Sequence, residues 1–214
     1  MFFPYKDDNP RILVPYVTYG IIGLNILIFL FQVGLGQTNQ NLILHFGLIP
    51  AHWSLISLFT SMFLHGGFAH LLGNMWFLWL FGDNVESALG HVRYLIFYFL
   101  CGVGAAVAQT AINLDSLIPM IGASGAISGI LAAYMLQYPK ARVHVFMFLF
   151  IFFTTFRVPA FVVIGFWFLE QLTNGLGSIG LDISGGVAWF AHIGGFIAGA
   201  GLIKLNPLIR IEKI

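Results

Sequence analysis

The chain has 214 residues, of which 59% are hydrophobic and 8% are charged, and its formal net charge is +1. This small number of charged residues cannot cover a folded domain of this length with a polar surface. The composition therefore excludes a soluble domain and predicts an integral membrane protein. The small net charge, without a run of basic residues, argues against a nucleic-acid partner.

Six apolar stretches predict six membrane-spanning helices. A helix that crosses about 30 Å of hydrocarbon needs roughly 20 apolar residues, and shorter helices are tolerated inside a bundle. The stretches that meet this requirement are 15–33, 68–81, 94–112, 124–138, 158–172 and 187–205. The first stretch lacks the small-residue cleavage site of a signal peptide, so we expect it to be retained. The sequence therefore predicts an all-α membrane protein in which residues 1–214 form a single domain.

The basic residues predict how these spans are oriented. The loops that follow the first, third and fifth spans contain no Lys or Arg. The nine basic residues are Lys6, Arg11, Arg93, Lys140, Arg142, Arg157, Lys204, Arg210 and Lys213. Because positive residues accumulate on the cytoplasmic side, both termini are expected in the cytoplasm. We expect a multi-pass protein of a prokaryotic cytoplasmic membrane.

Three segments between the spans differ from ordinary loops. The first outer loop, 32–67, is long, and its second half is apolar enough to predict a short helix in the membrane interface. Segment 143–157 is apolar and aromatic but has only about two-thirds of the length of a span. We interpret it as a membrane-surface or re-entrant element, because a seventh span would move Arg157 and the basic C-terminus to the outer side. The fifth loop, 173–186, is rich in glycine and is predicted to be a mobile gate.

Ser124 and His192 are the candidates for nucleophilic chemistry. Ser124 lies in a Gly-Ala-Ser-Gly sequence, residues 122–125, at a predicted loop-to-helix junction. The N-terminus of a helix offers unpaired N–H groups to a developing oxyanion. His192 lies about six residues into the last span, and a histidine in an apolar span is costly without a partner. Its expected role is the base that accepts the serine proton. The alternatives are helix packing for Ser124 and a structural hydrogen bond for His192.

His70 and Asn74 are candidates for stabilising charge on a substrate carbonyl. They are four positions apart and therefore share one face of the second span, which enters the membrane from the same side as Ser124. Neutral side chains of this kind can donate hydrogen bonds to a developing oxyanion. The alternative is an interhelical hydrogen-bonding pair. Because the outer halves of the spans carrying Ser124 and His192 contain no Asp or Glu, a Ser-His dyad is predicted.

Taken together in chain order, these motifs resemble the rhomboid family of intramembrane serine proteases. The resemblance covers most of the chain, and each motif is weak when taken alone. Its parts are the stretch 63–86 with His70-x-x-x-Asn74, the Glu86-x-x-x-Gly90 turn, residues 122–125, and Ala191-His192 before a glycine-rich helix. One departure is Ser128, since members of the family often have an aromatic residue four positions after the nucleophile.

The resemblance implies a six-transmembrane-helix rhomboid bundle with a long membrane-associated first outer loop. It also implies that Ser124 is the nucleophile, that His192 is the base, and that His70 and Asn74 assist the oxyanion. Members of the family cut single-span membrane proteins in or near the bilayer, need no metal or cofactor, and receive water from the extracytoplasmic side. The expected function is that of an intramembrane serine endopeptidase whose partners are single-span transmembrane substrates and the lipid bilayer.

Two other functions are compatible with parts of the sequence. A catalytically inactive relative would bind transmembrane clients without cutting them. A histidine-lined transporter or metal carrier would use His65, His70 and His192. The five-residue spacing of the first two does not place them on one helical face, and no intramembrane Asp, Glu or Cys completes a ligand set. A transporter also leaves Ser124 unexplained.

Overall fold

The computed structural model describes residues 2–10, 12–149, 152–179 and 187–205. These residues are mostly helical. In chain order the elements are β1 (Phe2–Asp7), α1 (Tyr16–Gly34), α2 (Asn39–Phe46), α3 (Leu55–Thr60), α4 (Phe68–Leu89), α5 (His91–Ile112), α6 (Ser124–Gln137), β2 (Arg142–Leu149), β3 (Phe152–Pro159), α7 (Ala160–Ser178) and α8 (Trp189–Leu205). Short 3-10 turns at Gly36–Thr38, Pro50–His52 and Ser61–Phe63 lie between α1 and α4.

Each of the six predicted spans coincides with a helix, although α4 continues to Leu89 beyond the predicted end at Phe81. Helices α1 and α5 are long and apolar enough to cross a membrane alone. A third candidate span is formed if Leu55–Phe63 and α4, which meet at 91°, count as one bent segment. Helix α8 is apolar but shorter. By length and composition the described part of the chain has two or three candidate spans, and the six-span bundle stays a prediction.

A three-stranded antiparallel sheet makes the expectation of an all-α protein wrong in one part of the chain. Residues 143–149 and 152–157 of the segment 143–157 lie in β2 and β3, which pair with each other, and β1 pairs with β2, for example Phe3 with Phe146. Val143 and Val145 are buried on one face of β2, as the two-residue period of a strand requires. An apolar run of this length fits a buried helix as well as a strand, so periodicity did not distinguish the two.

Glycines bring α6 and α8 into backbone contact. A Cβ at Gly195 would overlap the carbonyl oxygen of Gly125, and a Cβ at Gly199 would overlap that of Gly129. Small residues of this kind allow the backbones of membrane helices to approach closely. The contact therefore sets the separation of the N-terminal ends of α6 and α8, which carry the two candidate catalytic residues.

A buried carboxylate joins α4 to the start of α1. Glu86 is 0% exposed and accepts hydrogen bonds from the backbone N–H groups of Val17 and Thr18 at 2.9 and 2.8 Å. It also accepts one from the Thr18 hydroxyl at 2.6 Å, and His91 Nδ1 lies 2.6 Å from Oε1. The carboxylate satisfies N–H groups in the first turn of α1 that have no intrahelical acceptor, and its charge lies at the positive end of the helix dipole.

Glu86→Ala is expected to destabilise the protein by about 3 kcal/mol, because it leaves two backbone N–H groups without their acceptor and removes one of the two partners of the Thr18 hydroxyl. Unfolding in detergent, followed by circular dichroism, measures the change. Glu170→Ala is the control, because Glu170 is exposed on α7, and it should lie within about 0.5 kcal/mol of wild type. Equal stability of the two variants would contradict this role of Glu86.

Asp7 connects β1 to α6. Tyr134 Oη donates a hydrogen bond to Asp7 Oδ2 at 2.5 Å and accepts one from Asn9 Nδ2 at 3.1 Å. Burial raises the pKa of Asp7 from 3.8 to about 6, and the neighbouring carboxyl of Asp83 acts in the same direction, whereas the hydrogen bond from Tyr134 opposes the shift. The folded state therefore favours the protonated form of this carboxyl.

Asp7→Asn is expected to become more stable relative to wild type as the pH rises. A pKa raised on folding contributes stability below the unfolded-state pKa of about 3.9, and that contribution is lost as the pH rises through about 6. The difference in Tm, variant minus wild type, should therefore increase between pH 4 and 7. Thermal unfolding in detergent at half-unit intervals measures it.

Asp8→Asn is the matched control for this pH dependence. Asp8 accepts a hydrogen bond from His144 at 2.6 Å, and this bond lowers the pKa of Asp8. A lowered pKa contributes stability above the unfolded-state value, so Asp8→Asn should show no gain between pH 4 and 7. If the difference in Tm between Asp7→Asn and wild type stayed constant from pH 4 to 7, this would contradict the raised pKa of Asp7.

Candidate active site

The N-terminal ends of α6 and α8 bring Ser124 and His192 together. Ser124 is the first residue of α6, and His192 lies in the first turn of α8. Ser124 Oγ and His192 Nε2 are 2.8 Å apart, which is a hydrogen-bonding distance. A hydroxyl in this position can pass its proton to the imidazole as it attacks a carbonyl carbon.

The other ring nitrogen of His192 contacts an amide that the sequence analysis did not single out. Gln171, on α7, is 3% exposed, and its Oε1 lies 2.7 Å from His192 Nδ1. Because an amide oxygen only accepts, Nδ1 carries the proton and Nε2 is left free to accept from Ser124. The signal for Gln171 in the sequence was the single amide side chain of the predicted span 158–172, next to Glu170, whose side chain is exposed.

Aromatic packing on His192 comes from α7 and α8. The Trp167 ring lies 5.9 Å from the imidazole between centroids, tilted by 36°, and the Trp189 ring meets it edge-on at 6.3 Å. Ser128, at the position where the resembled family often has an aromatic residue, donates its hydroxyl to the Ser124 carbonyl at 2.7 Å. The ring of Trp167 therefore supplies, from another helix, the packing that Ser128 cannot.

The N-terminus of α6 offers backbone donors beside Ser124 Oγ. N–H groups in the first turn of a helix have no intrahelical acceptor, and α6 has no side-chain hydrogen bond that caps it. The positive end of the helix dipole lies at the same place. An oxyanion formed by attack of Ser124 would be stabilised by these groups.

His70 and Asn74, on α4, pack against the loop that precedes Ser124. Gly122 has a φ of +120°, a conformation that favours glycine. A Cβ at this position would lie 2.7 Å from His70 Nε2 and 3.4 Å from Asn74 Nδ2. The two side chains thus border the Gly-Ala-Ser-Gly sequence directly, and a side chain at Gly122 would collide with His70.

The loop before α4 orients these two side chains. Gly66 N–H donates to His70 Nδ1 at 3.4 Å, so the proton of the neutral imidazole lies on Nε2, the atom that faces the loop before α6. Asn74 Nδ2 lies 3.0 Å from Nε2 of His65, which is 1% exposed. The backbone of His65 is held in turn by the side-chain amide of Gln32 on α1. His65 therefore anchors Asn74 to the rest of the fold.

Parts of two predictions lie outside the described residues. Helix α7 extends through Ser178, into the predicted gate at 173–186, but residues 180–186 are not among those described. The same holds for Arg11, Arg210 and Lys213, which contributed to the predicted orientation. The mobile gate stays a prediction.

Two of the histidines near the candidate site lie against each other. His65 and His70 meet edge-to-face with their ring centroids 5.1 Å apart. Within ranges 2–10, 12–149, 152–179 and 187–205, no group of three or more His, Cys, Asp or Glu side chains is arranged to hold a metal ion. The imidazole of His192 lies between the hydroxyl of Ser124 and the amide of Gln171.

Comparison with known proteins identifies the family. The Rhomboid domain family model matches residues 52–206. Rhomboid protein 1, mitochondrial, of Saccharomyces cerevisiae is 27% identical over 206 residues, which cover 92% of this chain and 54% of that protein. RHOMBOID-like protein 4 of Arabidopsis thaliana is 32% identical over 158 residues, covering 74% of this chain and 34% of the relative. The human Presenilin-associated rhomboid-like protein, mitochondrial, is 33% identical over 129 residues, covering 58% of this chain and 33% of the relative.

The chain belongs to the rhomboid family. Its matches span between about a third and about half of the length of these relatives. The resemblance read from residues 63–86, 122–125 and 191–192 is thereby confirmed at the level of the family.

The comparisons also correct the expected location. All three relatives come from eukaryotes, and those from yeast and human are mitochondrial by name. The expectation of a prokaryotic cytoplasmic membrane, with both termini in the cytoplasm, is therefore wrong. The distribution of Lys and Arg orients spans relative to one another, but it contains no information about which membrane holds them.

Proposed function

We propose that this chain is an intramembrane serine endopeptidase that hydrolyses peptide bonds in or near the transmembrane segments of single-span membrane proteins. The observation that carries the proposal is the 2.8 Å contact between Ser124 Oγ and His192 Nε2 in a chain of the rhomboid family. A hydroxyl beside an imidazole, itself oriented by a third group, is the arrangement that serine hydrolases share.

The reaction proceeds in two steps. Ser124 Oγ attacks the scissile carbonyl carbon while His192 Nε2 takes the hydroxyl proton, and the imidazolium then gives that proton to the leaving amine. Water next attacks the acyl-enzyme, with His192 again accepting a proton and returning it to Ser124 Oγ. Both steps pass through an oxyanion on the former carbonyl oxygen.

The oxyanion is stabilised from two sides. Backbone N–H groups at the start of α6 lie on one side, and His70 Nε2–H and the amide of Asn74 border the same loop from α4. Side-chain donors of this kind contribute roughly 3 to 4 kcal/mol each where their removal has been measured in serine proteases. Ser124, His192, His70 and Asn74 thus form the proposed catalytic set.

We further propose that residues 1–214 form one rhomboid-type domain of six spans. Support comes from the helices found at all six predicted positions. In such a bundle α4, α6 and α8 start from the same side of the membrane, where His70, Ser124 and His192 all lie within the first turn of their helices. A substrate helix must unwind locally to present a carbonyl at this level, because its own hydrogen bonds shield the backbone. We propose that it enters beside α7.

The names of the yeast and human relatives support a mitochondrial membrane as the location. Fractionation of cells that express the tagged chain tests this placement. Recovery of the tag with membranes other than mitochondrial ones would overturn it.

The function is tested with detergent-purified protein, a single-span membrane protein as substrate, and a fluorophosphonate probe that labels activated serines. Wild type is expected to cleave the substrate and to be labelled, whereas Ser124→Ala should do neither. Equal cleavage by both proteins would overturn the hydrolase assignment. Stable association with the single-span protein, without cleavage or labelling, would favour a catalytically inactive relative that binds transmembrane clients.

A further inference from the structure

We infer that Gln171 is a positioning residue that sets the tautomer of His192, so that the base is competent only while α7 is docked against α8. The inference rests on the proposed hydrolase function. The Gln171 amide contacts His192 on Nδ1, the ring nitrogen that faces away from Ser124, so it acts through the imidazole.

The orientation of the Gln171 amide follows from its second hydrogen bond. Gln171 Nε2 donates to the backbone carbonyl of Trp167, one turn earlier in α7, at 3.3 Å. The reversed amide would place Oε1 against that carbonyl, so two acceptors would face each other in a site where Gln171 is only 3% exposed. The Trp167 carbonyl therefore directs Oε1 towards His192.

This orientation selects one tautomer of the base. Oε1 can only accept, so the ring proton lies on His192 Nδ1, and the lone pair of Nε2 points at Ser124 Oγ. In the other tautomer Nε2–H would donate to Ser124 Oγ, and the imidazole could not take the proton of the hydroxyl. A chain of hydrogen bonds thus runs from the carbonyl of Trp167 through the amide of Gln171 to the ring of His192. It leaves Nε2 of that ring as the basic nitrogen.

An amide differs from a carboxylate in what it does for the base. Nδ1 carries a proton in both the neutral and the charged imidazole, so the bond to Gln171 persists through the cycle. A carboxylate would in addition stabilise the positive charge of the imidazolium. Gln171 therefore fixes the orientation and the tautomer of the His192 ring, with little effect on the stability of the charged imidazolium. The variant Gln171→Glu measures this difference between an amide and a carboxylate.

The position of Gln171 makes the base depend on the docking of α7. The rings of Phe168 and Phe196 stack with their centroids 4.0 Å apart and 18° between their planes, and Trp167 packs on both His192 and Phe196. These contacts join α7 to α8. Since α7 is also the element beside which we propose that substrate enters, its displacement would remove the Gln171 amide from His192. Cleavage then requires that α7 return after the substrate has entered.

The test compares Gln171→Leu and Gln171→Glu with Glu170→Leu, a control at an exposed position of the same helix that lies outside the predicted gate 173–186. Gln171→Leu is expected to lower kcat about 10- to 100-fold with KM unchanged, the usual effect of losing a residue that orients another. Gln171→Glu keeps an acceptor for Nδ1–H of His192 but loses the donor to the Trp167 carbonyl, so its kcat should recover to within about tenfold of wild type and not fully. Its added negative charge should move the acid limb of the pH–rate profile to higher pH by about one unit. Glu170→Leu should match wild type in both measurements.

A double-mutant cycle tests the dependence on docking. Phe168→Leu removes the ring stacking on α8 while leaving Gln171 intact, and it should lower kcat in the wild-type background. The same substitution should have no further effect in Gln171→Leu, because the orienting bond is already absent. Equal losses in both backgrounds would show that docking does not act through Gln171, and would overturn that part of the inference.

The remaining outcomes separate the two proposals. Wild-type kcat in Gln171→Leu, or an unchanged acid limb in Gln171→Glu, would overturn the inference and leave the hydrolase assignment intact. Absence of Ser124-dependent cleavage and labelling in wild type would overturn both. The melting temperatures of Gln171→Glu and Glu170→Leu provide the folding control if Gln171→Leu proves unstable.

Discussion

Ser124→Ala and His192→Ala are each expected to lose cleavage by about 10⁶-fold, and the double variant to be no slower than either single one. The two side chains act as a unit, because the hydroxyl is a weak nucleophile until Nε2 accepts its proton across the 2.8 Å contact. Removing either group therefore removes the whole effect. Residual cleavage in all three variants would come from the oxyanion donors and substrate binding alone.

Prolonged incubation with a single-span substrate, quantified on gels against a dilution series of wild type, measures these losses. Labelling by a fluorophosphonate should also fail in His192→Ala, although Ser124 is intact there. His52→Ala is the matched control, since His52 is exposed in the first loop, and it should cleave at the wild-type rate. Additive losses in the double variant, or cleavage by His192→Ala above a hundredth of the wild-type rate, would show that the pair does not act as a dyad.

The sequence predicted the parts of the site that local motifs carry. Ser124 at the start of a helix and His192 in the last span were both chosen from their neighbours and their depth. The structure brings their reacting atoms within hydrogen-bonding distance. His70 and Asn74 were paired by their four-residue spacing, and the structure places both against Gly122. These residues could be selected because each lies in a short motif, and the motifs together, in chain order, resemble one family.

Gln171 was not predicted because its role depends on how α7 faces α8. Spacing along a helix shows which residues share a face, but it does not show which face a neighbouring helix covers. The adjacent carboxylate of Glu170 was the more conspicuous group, and it proved to be exposed. The relative rotation of two helices is decided by packing, here by the stacking of Phe168 on Phe196.

The sheet escaped prediction for a related reason. Strand β1 lies at the start of the chain and pairs with β2, which follows α6. Such a pairing depends on the three-dimensional course of the helices between the strands. Local sequence patterns therefore do not predict it. Segment 143–157 was interpreted as a membrane-surface or re-entrant element from its length and flanking charges, and neither of these distinguishes a strand from a helix. Both faces of the paired strands carry aromatic side chains, such as Phe146 and Phe156.

Gly195→Ala is expected to lower kcat by about 100-fold or more and to lower the melting temperature. A methyl group at this position would overlap the carbonyl oxygen of Gly125, which belongs to the backbone and cannot rotate away. Helices α6 and α8 must therefore separate or slide past each other. This movement displaces Ser124 and His192, which lie at the N-terminal ends of the two helices, relative to one another. A misplacement of about 1 Å between reacting groups is enough for a loss of this size.

Gly201→Ala, six positions further along α8, separates the packing effect from the general effect of replacing a helical glycine. A Cβ at Gly201 would have no neighbour within 4 Å. Alanine there should leave kcat unchanged and raise stability by up to about 1 kcal/mol through its higher helix propensity. Cleavage rates and melting temperatures of both variants in the same detergent give the comparison. If Gly195→Ala cleaved as fast as Gly201→Ala, the close approach of α6 and α8 would not be what holds the hydroxyl against the imidazole.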